Sequence, residues 1–311
     1  MDPMKTTKWT RRGFLSHTLV AGAGVTWGMS GLTQAVASDP SAARTAGTPN
    51  AEKLGWRLSC GIYTFRDRSF YETLPVVSDL GMRLVEPAFF LPLSKEQPDL
   101  KTSENLSPAL RLEMKKRMDD LGIKMATYYA PIEGDKSVYR KIFDFAKEMG
   151  AETMVVEPPI EALDALDTLC AEYQINLAIH NHPEGSGSRY WSPEIVMKAC
   201  EGRSPRIGGC PDTGHWVRSG LDPLAALKKY QKRIVSFHLK DAAESGKRDS
   251  RDVPLGTGKA NYSAILKQLA DWNWRGVMTI EYEHQSPELV SDVRQCVQFV
   301  ENTAREIVQV R

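Results

Sequence analysis

Five of the six histidines in this sequence, together with a set of carboxylates, fall at a few short sites flanked by apolar residues. Glu86 follows Leu84-Val85, and Glu157 follows Val155-Val156. His180 and His182 sit in Ala178-Ile179-His180-Asn181-His182. Asp212 and His215 belong to Asp212-Thr213-Gly214-His215. His238, Lys240 and Asp241 belong to Phe237-His238-Leu239-Lys240-Asp241, and Glu281, Glu283 and His284 surround or follow Tyr282. Charged side chains ordinarily stay solvated on helices and loops. A carboxylate or imidazole at the end of an apolar run needs a partner, and one shared cation satisfies several such groups at once. Two or three carboxylates with one or two neutral imidazoles suit a single divalent ion, Mn²⁺, Co²⁺, Zn²⁺ or Mg²⁺. The lack of thiolates in the set argues against structural zinc. Bound to adjacent oxygens of a hydroxy-ketone, such a cation eases loss of the α-proton to a nearby base.

These residues must be presented by something regular. Eight aliphatic or β-branched runs supply it: Leu58–Tyr63, Arg83–Glu86, Ile123–Tyr129, Thr153–Glu157, Ile175–His180, Arg206–Pro211, Ile234–Leu239 and Val277–Tyr282. They alternate with stretches of helical period such as 107–121, 138–149, 160–173, 222–230 and 262–271, the pattern of parallel βα units. Gly81, Gly122 and Gly150 stand where a left-handed residue ends a helix and turns the chain into the next strand. Pro75 is expected early in its helix, where a missing N–H is tolerated. Eight βα units in ~250 residues predict one α/β domain, a (β/α)8 TIM barrel, over residues 55–311. Neither G-x-G-x-x-G after the first strand nor a phosphate-binding P-loop is present, which excludes the open nucleotide-binding sheet. In a barrel of this kind the strand C-terminal ends carry the chemistry, and the residues above end the runs.

From Leu58 to about Arg305 the chain resembles the xylose-isomerase-like TIM barrels, a group of sugar isomerases, ketose 3-epimerases and inosose dehydratases. The resemblance rests most on Asp212-Thr213-Gly214-His215, Ser236-Phe237-His238-Leu239-Lys240-Asp241 and Thr279-Ile280-Glu281. It implies that Asp212, His238 and Glu281 are metal ligands. The ketose epimerases add a mid-barrel Glu that binds metal and moves a proton, whereas this chain carries His180 there. Glu157, one strand earlier, is the expected fourth ligand, with His180 as the competitor.

Three functions are compatible with these residues. The first expectation is a metal-dependent isomerase or epimerase of a non-phosphorylated sugar or hydroxy-ketone, working through an enediolate. Glu281 on one side of the substrate and Glu157 or His180 on the other would move the proton. Lys240 would stabilise the developing oxyanion. His182, His215 and Glu86 would meet substrate, and Trp216 would stack on a pyranose ring. The second is a metal-dependent lyase or hydratase eliminating from an oxidised sugar such as a 3-keto-glycoside. The third is a carbohydrate-binding barrel without catalysis. Trp272 and Trp274 read as packing at the far end of the barrel. No G-x-S-x-G elbow occurs, so a serine hydrolase is excluded.

The N-terminus sets the setting. Thr10-Arg11-Arg12-Gly13-Phe14-Leu15 precedes a Gly/Ala-rich apolar stretch ending in Ala35-Val36-Ala37, which resembles a twin-arginine export signal over residues 1–37. Glycines make that stretch too weakly hydrophobic for a stable membrane anchor. Residues 38–54 read as a linker, and the mature protein is expected in the periplasm. Removing four basic and one acidic residue takes the net charge from +1 to −2, which gives no attraction for nucleic acid. The partner called for is a small sugar or sugar derivative, with a homo-oligomer left open. Five cysteines without C-x-x-C spacing read as buried thiols.

Overall fold

The computed structural model describes residues 47–133 and 135–311, so the expected export signal at 1–37 lies outside the described residues. Eight strands form the barrel. We number them β1 (Trp56–Gly61), β2 (Leu84–Glu86), β3 (two short pieces, Lys124–Met125 and Thr127–Tyr129), β4 (Thr153–Val156), β5 (Asn176–His180), β6 (Ile207–Cys210), β7 (Ser236–Leu239) and β8 (Gly276–Ile280). Each lies within two residues of the run expected for it. All neighbouring pairs are parallel. The ring closes through parallel bridges Gly209 to Ile234 and Asp212 to His238, between β6 and β7, and through Ala88 to Tyr129, between β2 and β3.

The local chemistry explains the helices between them. Ser69 and Glu72 form a reciprocal capping box on the helix Phe70–Asp79. Ser107 and Asp222 cap helices that begin with Pro108 and Pro223. Gly81, Gly122 and Gly150 have φ of 84°, 65° and 88°, as their place after helices requires. Pro75 sits in the interior of its helix instead of its first turn. Trp274 is buried at the foot of the barrel, its indole donating to the Ile234 carbonyl. All five cysteines are buried and free. No helix among the described residues is long and apolar enough to cross a membrane.

The expected linker is shorter than 38–54, because Pro49–Lys53 is a helix with Ala51 fully buried. The Glu301 carboxylate, on the closing helix Leu289–Val310, accepts from Asn50 N at 2.8 Å and Ala51 N at 3.0 Å. A carboxylate on a helix N-terminus is a favourable cap. A polar composition concealed it.

Candidate metal centre

At the C-terminal mouth of the barrel, β5 to β8 each deliver one side chain to a common point. His180 ends β5, Asp212 follows β6, His238 lies in β7 and Glu281 follows β8, and one ligand atom from each lies within 4.8 Å of the others. The spacing suits coordination. Asp212 Oδ2 is 3.6 Å from His180 Nε2 and 3.8 Å from His238 Nδ1, and His238 Nδ1 is 3.3 Å from Glu281 Oε2. Ligand atoms around one tetrahedral ion at its usual bond lengths stand about 3.4 Å apart.

Hydrogen bonding gives an independent test of fit. His180 Nε2, Asp212 Oδ2 and His238 Nδ1 are buried and make no hydrogen bond, Asp212 Oδ2 having the Lys240 ammonium beside it at 3.1 Å, and all three belong to this cluster. Leaving such a group unsatisfied costs about 1–3 kcal/mol. One cation would satisfy all three.

Each ligand is oriented from behind. The Asp212 backbone is held by Asn181, whose amide donates to the Asp212 carbonyl at 3.0 Å and whose oxygen accepts from Asp212 N at 2.8 Å. Asp212 Oδ1 caps the short helix Thr213–Arg218 by accepting from His215 N at 2.9 Å, which leaves Oδ2 for the cluster. Glu86 Oε1, at the end of β2, lies 2.7 Å from His238 Nε2. On His180 the Nδ1 atom is 3.4 Å from Glu157 Oε1. Carboxylates behind ligating imidazoles fix tautomer and ring orientation.

The four-residue cluster takes His180, the competing choice, while Glu157 groups with His180 and His182 in a second set that could hold an ion. Glu157 is not in the four-residue cluster; it stands behind His180, accepting from Tyr129 Oη at 2.9 Å and from Ser188, with His182 Nδ1 at 2.5 Å. Strand β4 ends at Val156, and the chain leaves through Pro158-Pro159, so Glu157 serves the rim. Glu86 is 3% exposed; its carboxylate touches His238 and Thr279, so its first role is orientation of a ligand.

Lys240 departs further from expectation. It is 1% exposed, and its ammonium reaches Glu281 Oε2 and Glu283 Oε1 at 2.8 Å, Asp212 Oδ2 at 3.1 Å and His215 Nε2 at 3.3 Å. It thus neutralises carboxylates behind the cavity wall, where an oxyanion cannot be met. Gly214 makes the room, because a Cβ there would fall 2.5 Å from Lys240 Cγ. Trp216 is also corrected. It is fully buried, 5.4 Å from the Tyr230 ring on the far side of its helix, and cannot stack on a sugar.

An ionic network that the sequence reading missed surrounds this lysine. Arg218 pairs with Asp252 Oδ1 at 2.5 Å and Glu283 Oε2 at 2.8 Å, and its Nη1 lies 3.0 Å from His215 Nδ1. Asp252 arrives on a ribbon formed by Asp241–Ala242 and Asp252–Val253. Asp241 itself receives the backbone N–H groups of Ala242, Gly256, Gly258 and Ala260, so the 254–260 loop is folded around it and does not cover the mouth.

The charge balance favours a cation. Among the described residues, the ion pairs of Glu86, Glu157, Asp212, Asp252, Glu281 and Glu283 are made with the histidines and with two permanent cations, Lys240 and Arg218. Burial pushes the Asp212 and Glu281 carboxyls up, but His215 and Lys240 on the first, and Lys240 and His238 on the second, hold both well below their usual range. Burial likewise opposes a charge on His180, yet Asp212 and Glu157 raise it to about 9. Burial, with Lys240 beside it, drives His215 well below the imidazole range. The Asp252 carboxyl is raised to about 7 by burial, against Lys240 and Arg218.

Above the cluster lies a cavity of about 590 Å³. One wall carries Glu281, Glu283, His215 and Arg218, and His182 stands beside Pro183 at its edge. The opposite wall is aromatic, with Tyr63 after β1, Phe89 and Phe90 after β2, and Tyr129 at the end of β3. None of the four was singled out from sequence, although each sits at or just beyond a strand end.

Comparison with known proteins agrees with this geometry. Residues 74–302 match the model of the Xylose isomerase-like TIM barrel family. A rhizopine catabolism protein, MocC, of Rhizobium meliloti is 32% identical over 149 residues, 43% of this chain and 45% of that protein. The chain thus spans less than half the length of that relative. An inosose dehydratase of Clostridium perfringens strain 13 is 28% identical over 210 residues, 54% of this chain and 69% of that enzyme. Among solved structures, an uncharacterized protein from Parabacteroides distasonis has a TM-score of 0.64 and 31% identity, covering 80% of this chain and 99% of that one. A further barrel from Mycobacterium smegmatis, solved in complex with magnesium, has a TM-score of 0.63 at 15% identity over 81% of this chain and 97% of that one. With the family model matched over most of the barrel and the fold in accord, this chain belongs to the Xylose isomerase-like TIM barrel family.

Proposed function

We propose that the chain is a divalent-metal-dependent lyase that eliminates a β-substituent from a non-phosphorylated, sugar-like hydroxy-ketone. His180, Asp212, His238 and Glu281 would hold the metal. Once bound, the ion would polarise the ketone and its neighbouring oxygen and acidify the α-proton.

The observation that carries the choice of elimination is the asymmetry of proton carriers. On one side His182 lines the cavity with Nδ1 fixed on Glu157, which sets the tautomer and leaves the other ring nitrogen to take or return a proton. Next to it on the same side, where the His182 and His215 rings stack at 5.0 Å, Glu283 is held by Lys240, His215 and Arg218, which outweigh burial and lower its carboxyl to about 2, a poor proton carrier. His215 is wedged between Lys240 and Arg218. One imidazole can take the α-proton and give it to the departing oxygen on the same face. A two-base epimerisation needs a second carrier opposite. The resemblance to an inosose dehydratase supports the same reading.

The isomerase reading also fits the family, and product analysis separates the two. Metal-loaded protein is incubated in D₂O with ketoses, cyclitol ketones and 3-keto-glycosides and followed by NMR. Elimination gives an unsaturated product and a released alcohol or water; deuterium exchange with no group released would instead favour epimerisation. On the sequence alone we further propose export by the twin-arginine route. Mass analysis of the mature N-terminus in the periplasmic fraction tests cleavage after Ala37.

A further inference from the structure

One side of the cavity above the cluster is built from aromatic rings that the metal cluster does not use. At about 590 Å³ it is an ordinary ligand pocket in size. Its aromatic lining forms a continuous surface. Phe90 is packed edge-on against Tyr63 at 5.8 Å, Phe89 at 5.1 Å and Tyr129 at 6.5 Å between ring centroids. Tyr63 is further fixed by the Arg66 guanidinium over its ring at 4.8 Å, and Arg66 is tied to the Glu283 carbonyl at 2.8 Å.

Phe90 stands out within this group. Five large apolar side chains are exposed among the described residues, and of those five only Phe90, 41% exposed, lines this cavity. An exposed aromatic that is rigidly packed by its neighbours offers a face to a ring at little entropic cost. Tyr129 links the two walls, because its ring packs on His180 and its hydroxyl donates to Glu157. The aromatic surface therefore continues directly from the metal cluster.

We infer that the Tyr63–Phe90–Tyr129 wall is a second subsite, which holds a ring on the departing side of the substrate while the reacting ketone ring faces the metal ligands. This deepens the lyase reading and rests on it for the word departing, but the subsite itself is defined by binding. The shared chemistry is a ring with an apolar face, supplied by an aryl group or by a second pyranose.

The test uses the metal-loaded full chain and three stable probes: methyl, phenyl and cellobiosyl forms of a β-glucoside, with affinities from calorimetry and contact sites from saturation-transfer NMR. The second-ring probes should bind about tenfold tighter than the methyl glucoside, with saturation strongest on the second ring. Phe90→Ala should erase that preference and leave the methyl glucoside within about twofold. Preference for phenyl alone identifies an aryl occupant, and preference for both identifies any ring. Equal affinities, no saturable binding of any probe, or a preference that survives Phe90→Ala would overturn the subsite. A second variant, Phe90→Tyr, keeps the ring and should keep the preference, which separates loss of the face from loss of folding. Because turnover is not read, the result stands apart from whether elimination occurs.

Discussion

The two halves of the barrel mouth solve opposite problems. Strands β5 to β8 gather charge: four candidate ligand side chains, a buried lysine and a buried arginine, each held by at least one partner of opposite sign or by an orienting hydrogen bond. Strands β1 to β3 gather aromatic rings, of which three are half-buried and one is exposed. The charged half can exist only as a set, since removing one member leaves its buried partners uncompensated, at a cost of about 3–5 kcal/mol. The aromatic half is a collection of separable contacts. Changes in the first half should therefore be severe and shared among properties, and changes in the second should be local.

Four substitutions probe that contrast, in falling order of effect. Asp212→Ala removes a ligand and the cap of the Thr213–Arg218 helix together. Metal content after gel filtration, read by elemental analysis, should fall by more than the ~100-fold loss in affinity typical of outer-shell changes. Retention of full metal by this variant would remove Asp212 from the ligand set. Glu86→Gln leaves the volume but takes the charge from behind His238, so metal affinity in a competition assay should drop by about 10–100-fold. An unchanged affinity would mean that Glu86 does not orient the imidazole. Next, Glu157→Gln should reduce metal affinity less than Glu86→Gln, within the ~10–100-fold outer-shell range, because its contact to His180 is longer, 3.4 Å against 2.7 Å. A larger effect from Glu157→Gln would restore Glu157 to the ligands. Trp216→Phe should lower stability by about 1–3 kcal/mol in denaturant titration while leaving sugar affinity unchanged. A weakened sugar affinity without loss of stability would return Trp216 to the substrate.

The fold was largely legible, because strand runs, Gly-terminated helices and the spacing of about one βα unit per thirty residues are local signals. The choice between Glu157 and His180 was not. Which way a residue at a strand end points depends on whether the strand continues by one more position, and β4 stops at Val156 while β5 runs through His180. Trp216 was misplaced because its helix has six residues, too few to reveal a buried face by periodicity. Arg218 and Asp252 meet across 34 positions by way of a ribbon whose pairing no local pattern announces. The aromatic wall did carry a signal, Phe89-Phe90 three residues beyond Glu86, but aromatic residues near strand ends are more often core than wall.

The gap left by Gly214 has a reach beyond this one chain. Since no Cβ fits beside the Lys240 stem, position 214 is not free to change alone: a descendant sequence that acquires any side chain there must already have shortened or redirected the residue at 240. Glycine must therefore stand at 214 before a lysine can occupy 240, and it can be lost only after that lysine has gone. In an alignment of this lineage the pair should behave as one inherited character, and a homologue carrying both a side chain at the first position and lysine at the second would show that the strand or helix bearing one of them has moved.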